Sequence, residues 1–101
     1  MKFFIQVLVL TALALQVQAE ITIHFLGTGG PEITKNRQGV ATLIEVPGNK
    51  FLFDAGRGVL QRMAESRINL PLVRNVFLTH LHSDHIEGLP SIWMTAWFIT
   101  K

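Results

Sequence analysis

Three of the four histidines in this chain fall within six residues, in the run Thr79-His80-Leu81-His82-Ser83-Asp84-His85. The run follows Val76-Phe77-Leu78, an apolar triplet that predicts a short buried strand, so the histidines occupy the loop that leaves it. Three imidazoles and a carboxylate gathered without an ion would repel one another, or go unsatisfied if buried. With an ion they are ordinary company, because neutral imidazole and carboxylate bind zinc at ~2.0–2.2 Å. Alternate side chains of an extended segment point the same way, so His80 and His82 can reach one metal. Asp84 and His85 lie past the turn and can reach a second. Two metals about 3.5–4 Å apart clamp the attacking and leaving oxygens of a displacement, and lower the pKa of bound water from ~15.7 toward ~7. The loop needs a strand to leave from, and the rest of the chain is read around that need.

Upstream, Ile21-Thr22-Ile23-His24-Phe25-Leu26 alternates apolar and polar before turning wholly apolar, which predicts a strand stopped by Gly27-Thr28-Gly29-Gly30-Pro31. The glycines here match neither a dinucleotide nor a P-loop fingerprint and are read as a tight turn with close backbone approach. His24 alternates outward and is read as structural. Val40 to Val46 predicts a second strand, Pro47-Gly48-Asn49-Lys50 a turn, and Phe51-Leu52-Phe53 its hairpin partner. After the sharp turn Asp54-Ala55-Gly56-Arg57-Gly58, the residues Val59, Leu60, Met63 and Ala64 recur at helical spacing, with Asn69 and Pro71 as the stop. Asp54 has two readings: it accepts hydrogen bonds that hold the ligand loop, or it caps the helix that follows. Thr79, at the mouth of the loop, is placed with it in the holding role. From Ile86 a helix is expected, with Leu89, Ile92, Trp93, Ala96 and Trp97 at apolar spacing; Trp93 and Trp97, four apart, are read as core. Lys101 falls inside that pattern with no stop signal, so the sequence is read as part of a larger domain.

Residues 1–19 have another character. Lys2, the apolar run Phe3 to Leu15 and the ending Val17-Gln18-Ala19 have the three-part layout of a secretory signal peptide. The expectation is export, secreted or periplasmic, with the mature chain starting at Glu20. The apolar run is shorter than the ~20 residues of a membrane-spanning helix, so no stable span is expected after cleavage. Removing these residues takes Lys2 from the nine Lys and Arg, leaving eight against seven Asp and Glu and a net charge of +1. The arginines at 57, 62, 67 and 74 are scattered, and nothing resembles a nucleic-acid footprint on charge alone. There is no cysteine, so a mature chain this small without disulfides needs a metal or more chain to be stable.

The run from Thr79 to His85 resembles the signature of the metallo-β-lactamase superfamily. Leu26-Gly27-Thr28-Gly29-Gly30, Phe53-Asp54-Ala55-Gly56-Arg57-Gly58 and Gly88-Leu89-Pro90 resemble its ribonuclease Z and arylsulfatase-like branch. Ser83 is similar to the arylsulfatase-like members, ribonuclease Z usually having Gly there. The resemblance implies an α/β (α+β) fold, with residues 20–101 as the N-terminal half of an αββα sandwich. It implies two zinc ions, the first on His80 and His82, the second on Asp84 and His85. It also implies a further His on each metal and a bridging Asp later in the family's chain, and no His follows His85 here.

The expected function is a di-zinc hydrolase cleaving a sulfate or phosphate ester by a metal-bound hydroxide, with Asp84 as the catalytic residue that orients the water. The expected partner is a small-molecule ester, nucleic acid being less favoured; nothing sets an oligomeric state. The alternatives are a tRNA 3′-processing endoribonuclease similar to ribonuclease Z, and a catalytically inactive zinc-binding fragment. Export and near-neutral charge count against the first, because tRNA is a polyanion of the cytoplasm.

Overall fold

A computed structural model of the chain describes residues 1–2 and 19–99. The apolar run read as a signal peptide lies outside the described residues. Four strands form one sheet in sequence order: β1 (Thr22–Gly27), β2 (Ala41–Val46), β3 (Asn49–Phe53) and β4 (Val73–Phe77). The first three are antiparallel neighbours, while β4 runs parallel to β3. A parallel pair needs a crossover, and here helix α1 (Val59–Glu65) and a 3-10 turn at Leu70–Leu72 supply it. Two helices follow β4: α2 (Ser83–Ile86) and α3 (Leu89–Ile99).

The β2–β3 hairpin is dictated locally. Val46 pairs with Asn49 across Pro47-Gly48. Proline fixes its own φ negative, and Gly48 takes φ 79°, a value costly for residues with a Cβ. Register then sorts the side chains by face. His24, Leu43, Leu52 and Val76 lie across one face of the four strands, Phe25, Thr42, Phe53 and Phe77 across the other. The first face holds the core: Leu26, Ala41, Leu43 and Leu52 are buried with Ala55, Val59, Met63, Leu70 and Ile92 from the turns and helices. The second keeps Phe25 73% and Phe77 47% exposed.

The structure departs from the sequence reading in four places. His24, read as pointing outward, lies on the core face of β1 at its half-buried edge, while Ile23 and Phe25 face outward. Helix α1 ends at Ser66, before Asn69 and Pro71. Arg67 takes φ 56°, its N–H donates to Ala64 O at 3.0 Å, and the N–H of Ile68 donates to Met63 O at 2.8 Å. This is a Schellman stop built without glycine, closed by Ile68 packing onto the core that holds Met63. Strand β4 is longer than Val76-Phe77-Leu78 and is not buried, because it has a strand neighbour on one side only and carries Phe77 on the uncovered face. The last helix is split at Gly88, and α3 buries Ile92 while Trp93 stands 74% and Trp97 60% exposed. Among the described residues no helix is long and apolar enough to cross a membrane.

Candidate metal centre

The ligand loop rests on a floor of backbone. Three segments meet beneath it: Gly39-Val40, Asp54 to Gly58, and the loop itself. The N–H of Val40 donates to Asp84 O at 3.1 Å, that of Ala55 to His85 O at 2.7 Å, and that of Gly88 to Ala55 O at 2.7 Å. A Cβ on Gly56 would lie 2.3 Å from Asp84 O and 2.4 Å from Gly39 C, so no side chain fits at this crossing. Gly27 and Gly29 serve the same end nearby, their missing Cβ atoms leaving room for the carbonyls of Gly39 and Gln38. Arg57 ties the rim, donating to Glu87 at 3.2 Å and to Glu32 O at 3.3 Å.

Asp54 is the pivot. It follows β3 at φ 61°, a conformation strained for a residue with a side chain, and is almost wholly buried. Its own N–H donates to Phe77 O at 2.7 Å, fastening the end of β3 to the end of β4. Its carboxylate accepts from the Thr79 N–H and the Thr79 hydroxyl, each at 2.8 Å, and its Oδ2 lies 2.8 Å from His85 Nδ1. The cap of α1 is Gly58, with no side-chain cap bond, so Asp54 holds the loop and does not cap the helix. Burial pushes the Asp54 carboxyl up, but the bonds from the Thr79 N–H, His85 and the Thr79 hydroxyl outweigh it and hold its pKa below the usual carboxylate value.

The four ligand candidates converge above this pivot. The His80 ring centroid lies 4.5 Å from that of His82 and 4.0 Å from that of His85. Asp84 is buried in the first turn of α2, and His85 Nε2 lies 3.5 Å from Asp84 Oδ2. Two ligands of one tetrahedral zinc at ~2.0–2.1 Å stand roughly 3.4 Å apart. The Asp84–His85 pair is therefore already spaced for one ion, with the opposite ring nitrogen of His85 anchored as metal-binding histidines usually are. Among the described residues no group of three or more His, Cys, Asp or Glu is gathered on one point. One pair, Asp84 and His85, stands at ligand spacing, where a catalytic zinc takes three donors from the protein. The donor chemistry fits a metal, and the set is open to further ligands. His24 stands apart, 3.1 Å from Glu45 on the sheet.

Sequence reasoning named the loop, Asp54 and Thr79. It missed the glycine floor at Gly39, Gly56 and Gly88, whose signal was a glycine in each of the three segments that cross there.

The family described as Anti-Pycsar protein Apyc1 matches residues 21–101. Ribonuclease Z of Mycolicibacterium paratuberculosis is 44% identical over 80 residues, covering 79% of this chain and 29% of the relative. Ribonuclease Z of Mycobacterium marinum is 47% identical over 77 residues, covering 76% and 28%. The chain thus spans under a third of the curated relatives it matches. Among solved structures, the short form of human tRNase Z aligns at TM-score 0.71 and 32% identity, over 76% of this chain and 29% of that one. A metallo-β-lactamase-fold protein of Bacillus subtilis aligns at 0.69 and 21% identity, over 75% and 31%, a likeness of fold alone.

The fold is that of the metallo-β-lactamase proteins, a mixed α+β chain on the ribonuclease Z side of the superfamily. The expectation of a small-molecule ester partner, with nucleic acid less favoured, is overturned by relatives that are ribonucleases, one named for tRNA. That expectation leaned on Ser83, on export and on a net charge of +1; the first and last are weak evidence, and the apolar run read as the export signal lies outside the described residues. One loop residue is outweighed by 44% identity over 80 residues, and the charge was counted on under a third of the relatives' length.

Proposed function

The chain belongs to the family of the anti-Pycsar protein Apyc1, within the metallo-β-lactamase fold, and from that premise we propose that the protein is a metal-dependent endoribonuclease of the ribonuclease Z kind, cleaving RNA at the 3′ side of tRNA. The observation that carries the metal part of this reading is the spacing of His85 Nε2 and Asp84 Oδ2 at 3.5 Å, with His85 Nδ1 held by Asp54. Identity to ribonuclease Z of 44% over 80 residues supports the substrate class.

In this reading His80 and His82 hold one ion and Asp84 and His85 the other, each completed by ligands outside the described residues, and the metal is zinc. Bound metal of this kind polarises a phosphoryl oxygen and makes water nucleophilic at neutral pH. The chain's own residues do the positioning. Asp54 fixes the entrance to the loop through Thr79, the glycine floor sets its height, and Asp84 lies buried beside His85, where its second oxygen can orient the attacking water. Export through residues 1–19 is a separate proposal that stands against a tRNA substrate. N-terminal sequencing from the native host that begins at Glu20 would place the cleaved RNA outside the cytoplasm, and a start at Met1 would agree with tRNA processing.

The test is incubation of the intact protein with a tRNA precursor carrying a 3′ trailer, with zinc and with chelator, and mapping of the new 3′ end. Cleavage at one position, lost with chelator and in the His80→Ala/His82→Ala variant, is the expected result. A protein that holds two metals per chain and leaves every RNA intact would overturn the substrate. One that holds no metal would overturn the centre itself.

A further inference from the structure

Thr79 stands at a branch that its holding role does not explain. Its hydroxyl lies 2.8 Å from Asp54 Oδ2 and 3.1 Å from His80 Nδ1. A hydroxyl has one proton to give. An ionised carboxylate only accepts, so that proton goes to Asp54. Toward His80 the Thr79 oxygen can then only accept, and His80 Nδ1 must carry the hydrogen. His85 Nδ1, 2.8 Å from the same Asp54 Oδ2, must carry one by the same count; its 3.4 Å approach to Thr79 Oγ1 is the longer of its two contacts. Asp54 Oδ1 is taken by the Thr79 N–H at 2.8 Å.

We propose that Thr79 is a positioning residue that relays the tautomer choice of Asp54 to His80, so that one buried carboxylate sets both His80 and His85 as Nδ1–H and turns both Nε2 atoms outward. His85 is set directly, His80 at one remove. In neutral imidazole the nitrogen without hydrogen is the one that binds metal. The relay therefore prepares two histidines before any ion arrives, and, resting on the assignment of His80 and His85 to different ions, it ties both metal sites to a single group. His82 has no part in it, which leaves its tautomer free to follow the metal.

The metal-free state provides the test. Long-range 1H–15N spectra of the intact protein, labelled at histidine and freed of metal by chelation, should show His80 and His85 both as Nδ1–H. In Thr79→Val the hydroxyl is lost at nearly constant shape, so His80 should leave the fixed Nδ1–H form while His85, still on Asp54, keeps it. Thr79→Ser should restore His80. Zinc titration should then show one of two equivalents weakened about 10- to 100-fold in Thr79→Val and recovered in Thr79→Ser. Wild-type His80 found as Nε2–H would sink the relay without need of any variant, and so would His80 unmoved in Thr79→Val. The expected tautomers in a protein that takes up no zinc would uphold the relay and overturn the metal reading instead.

Discussion

At the scale of single residues, the site depends on what is missing as much as on what is present. Gly56 shows this most directly, since a methyl group there would meet Asp84 O at 2.3 Å and Val40 N at 2.5 Å. Both neighbours are backbone, and neither can swing away. Overpacking of this kind costs ~1–3 kcal/mol where side chains can yield, so Gly56→Ala should lose at least that much. It should also displace the Asp84 carbonyl and with it the ligand loop. A thermal melt of the variant beside the wild type, with metal content measured on both, checks the coupling; a variant that melts normally and binds metal normally would contradict the floor. Asp54 gives the complementary case. Asp54→Asn keeps the size and tolerates φ 61°, but exchanges an oxygen that accepts for a group that donates. Its bonds from the Thr79 hydroxyl and from His85 compete for what remains. Metal affinity at both sites should fall about 10- to 100-fold, read by competition with a chromophoric chelator, while far-UV circular dichroism stays unchanged.

At the scale of elements, the sheet hangs on β2, which like β3 has the core on one face and a neighbour on each side. Leu43 at its centre is wholly buried, opposite Leu52 on β3. Leu43→Ala should cost ~2–5 kcal/mol, visible as a lower denaturant midpoint with an unchanged slope. The same strand carries Glu45, bonded to Lys50 on β3 and to His24 on β1. The Lys50 bond, then the His24 bond, hold its carboxyl below the ordinary glutamate value of 4.5. A lowered folded pKa means stability that is present above the unfolded pKa and lost as pH falls through the folded one. The stability gap between wild type and Glu45→Gln should therefore be constant above pH 4.5 and close below it. A gap that persists in acid would place the effect elsewhere. Much at this scale was legible beforehand. Alternation marked β1, Pro47-Gly48 marked the hairpin, and Val59 to Met63 marked α1. The C-terminus of α1 was hidden because Arg67, and not a glycine, takes the positive φ. The split of the last helix was hidden because Gly88 is required by a contact with Ala55 and Gly56, more than thirty residues away in sequence. The ligand loop was legible for the opposite reason: its donors are neighbours in sequence. Exposure of Trp93 and Trp97 was not, since helical spacing says which residues share a face and not what covers it.

At the scale of the whole molecule, the sheet presents one covered face and one bare one. Ile23, Phe25 and Phe77 are about half exposed or more, and Phe53 stacks on Phe77 at 5.1 Å between ring centroids. On the helical side Trp93, Met94 and Phe98 stand open as well. Contiguous apolar surface of this kind is rare on soluble monomers and favours association. An edge strand adds unpaired N–H and C=O groups, which are templates for another chain. Burial of apolar area contributes ~25 cal/mol per Å², and for a chain of this length that gain stands close to the conformational entropy it must offset. A polypeptide comprising residues 20–101 alone should therefore self-associate or stay molten. Size-exclusion chromatography should show oligomers, and a dye that reports exposed apolar surface should bind strongly. Substituting Phe25 and Phe77, which face solvent and not the core, by Thr should reduce both signals without melting the sheet. Zinc should not rescue the fold, because the loop brings only Asp84 and His85 to ligand spacing and a weakly held ion adds little to stability at ordinary concentrations. A 20–101 polypeptide that runs as a monomer, melts cooperatively and cleaves RNA with metal would mean that the bare face needs no partner and that His80, His82, Asp84 and His85 suffice as ligands.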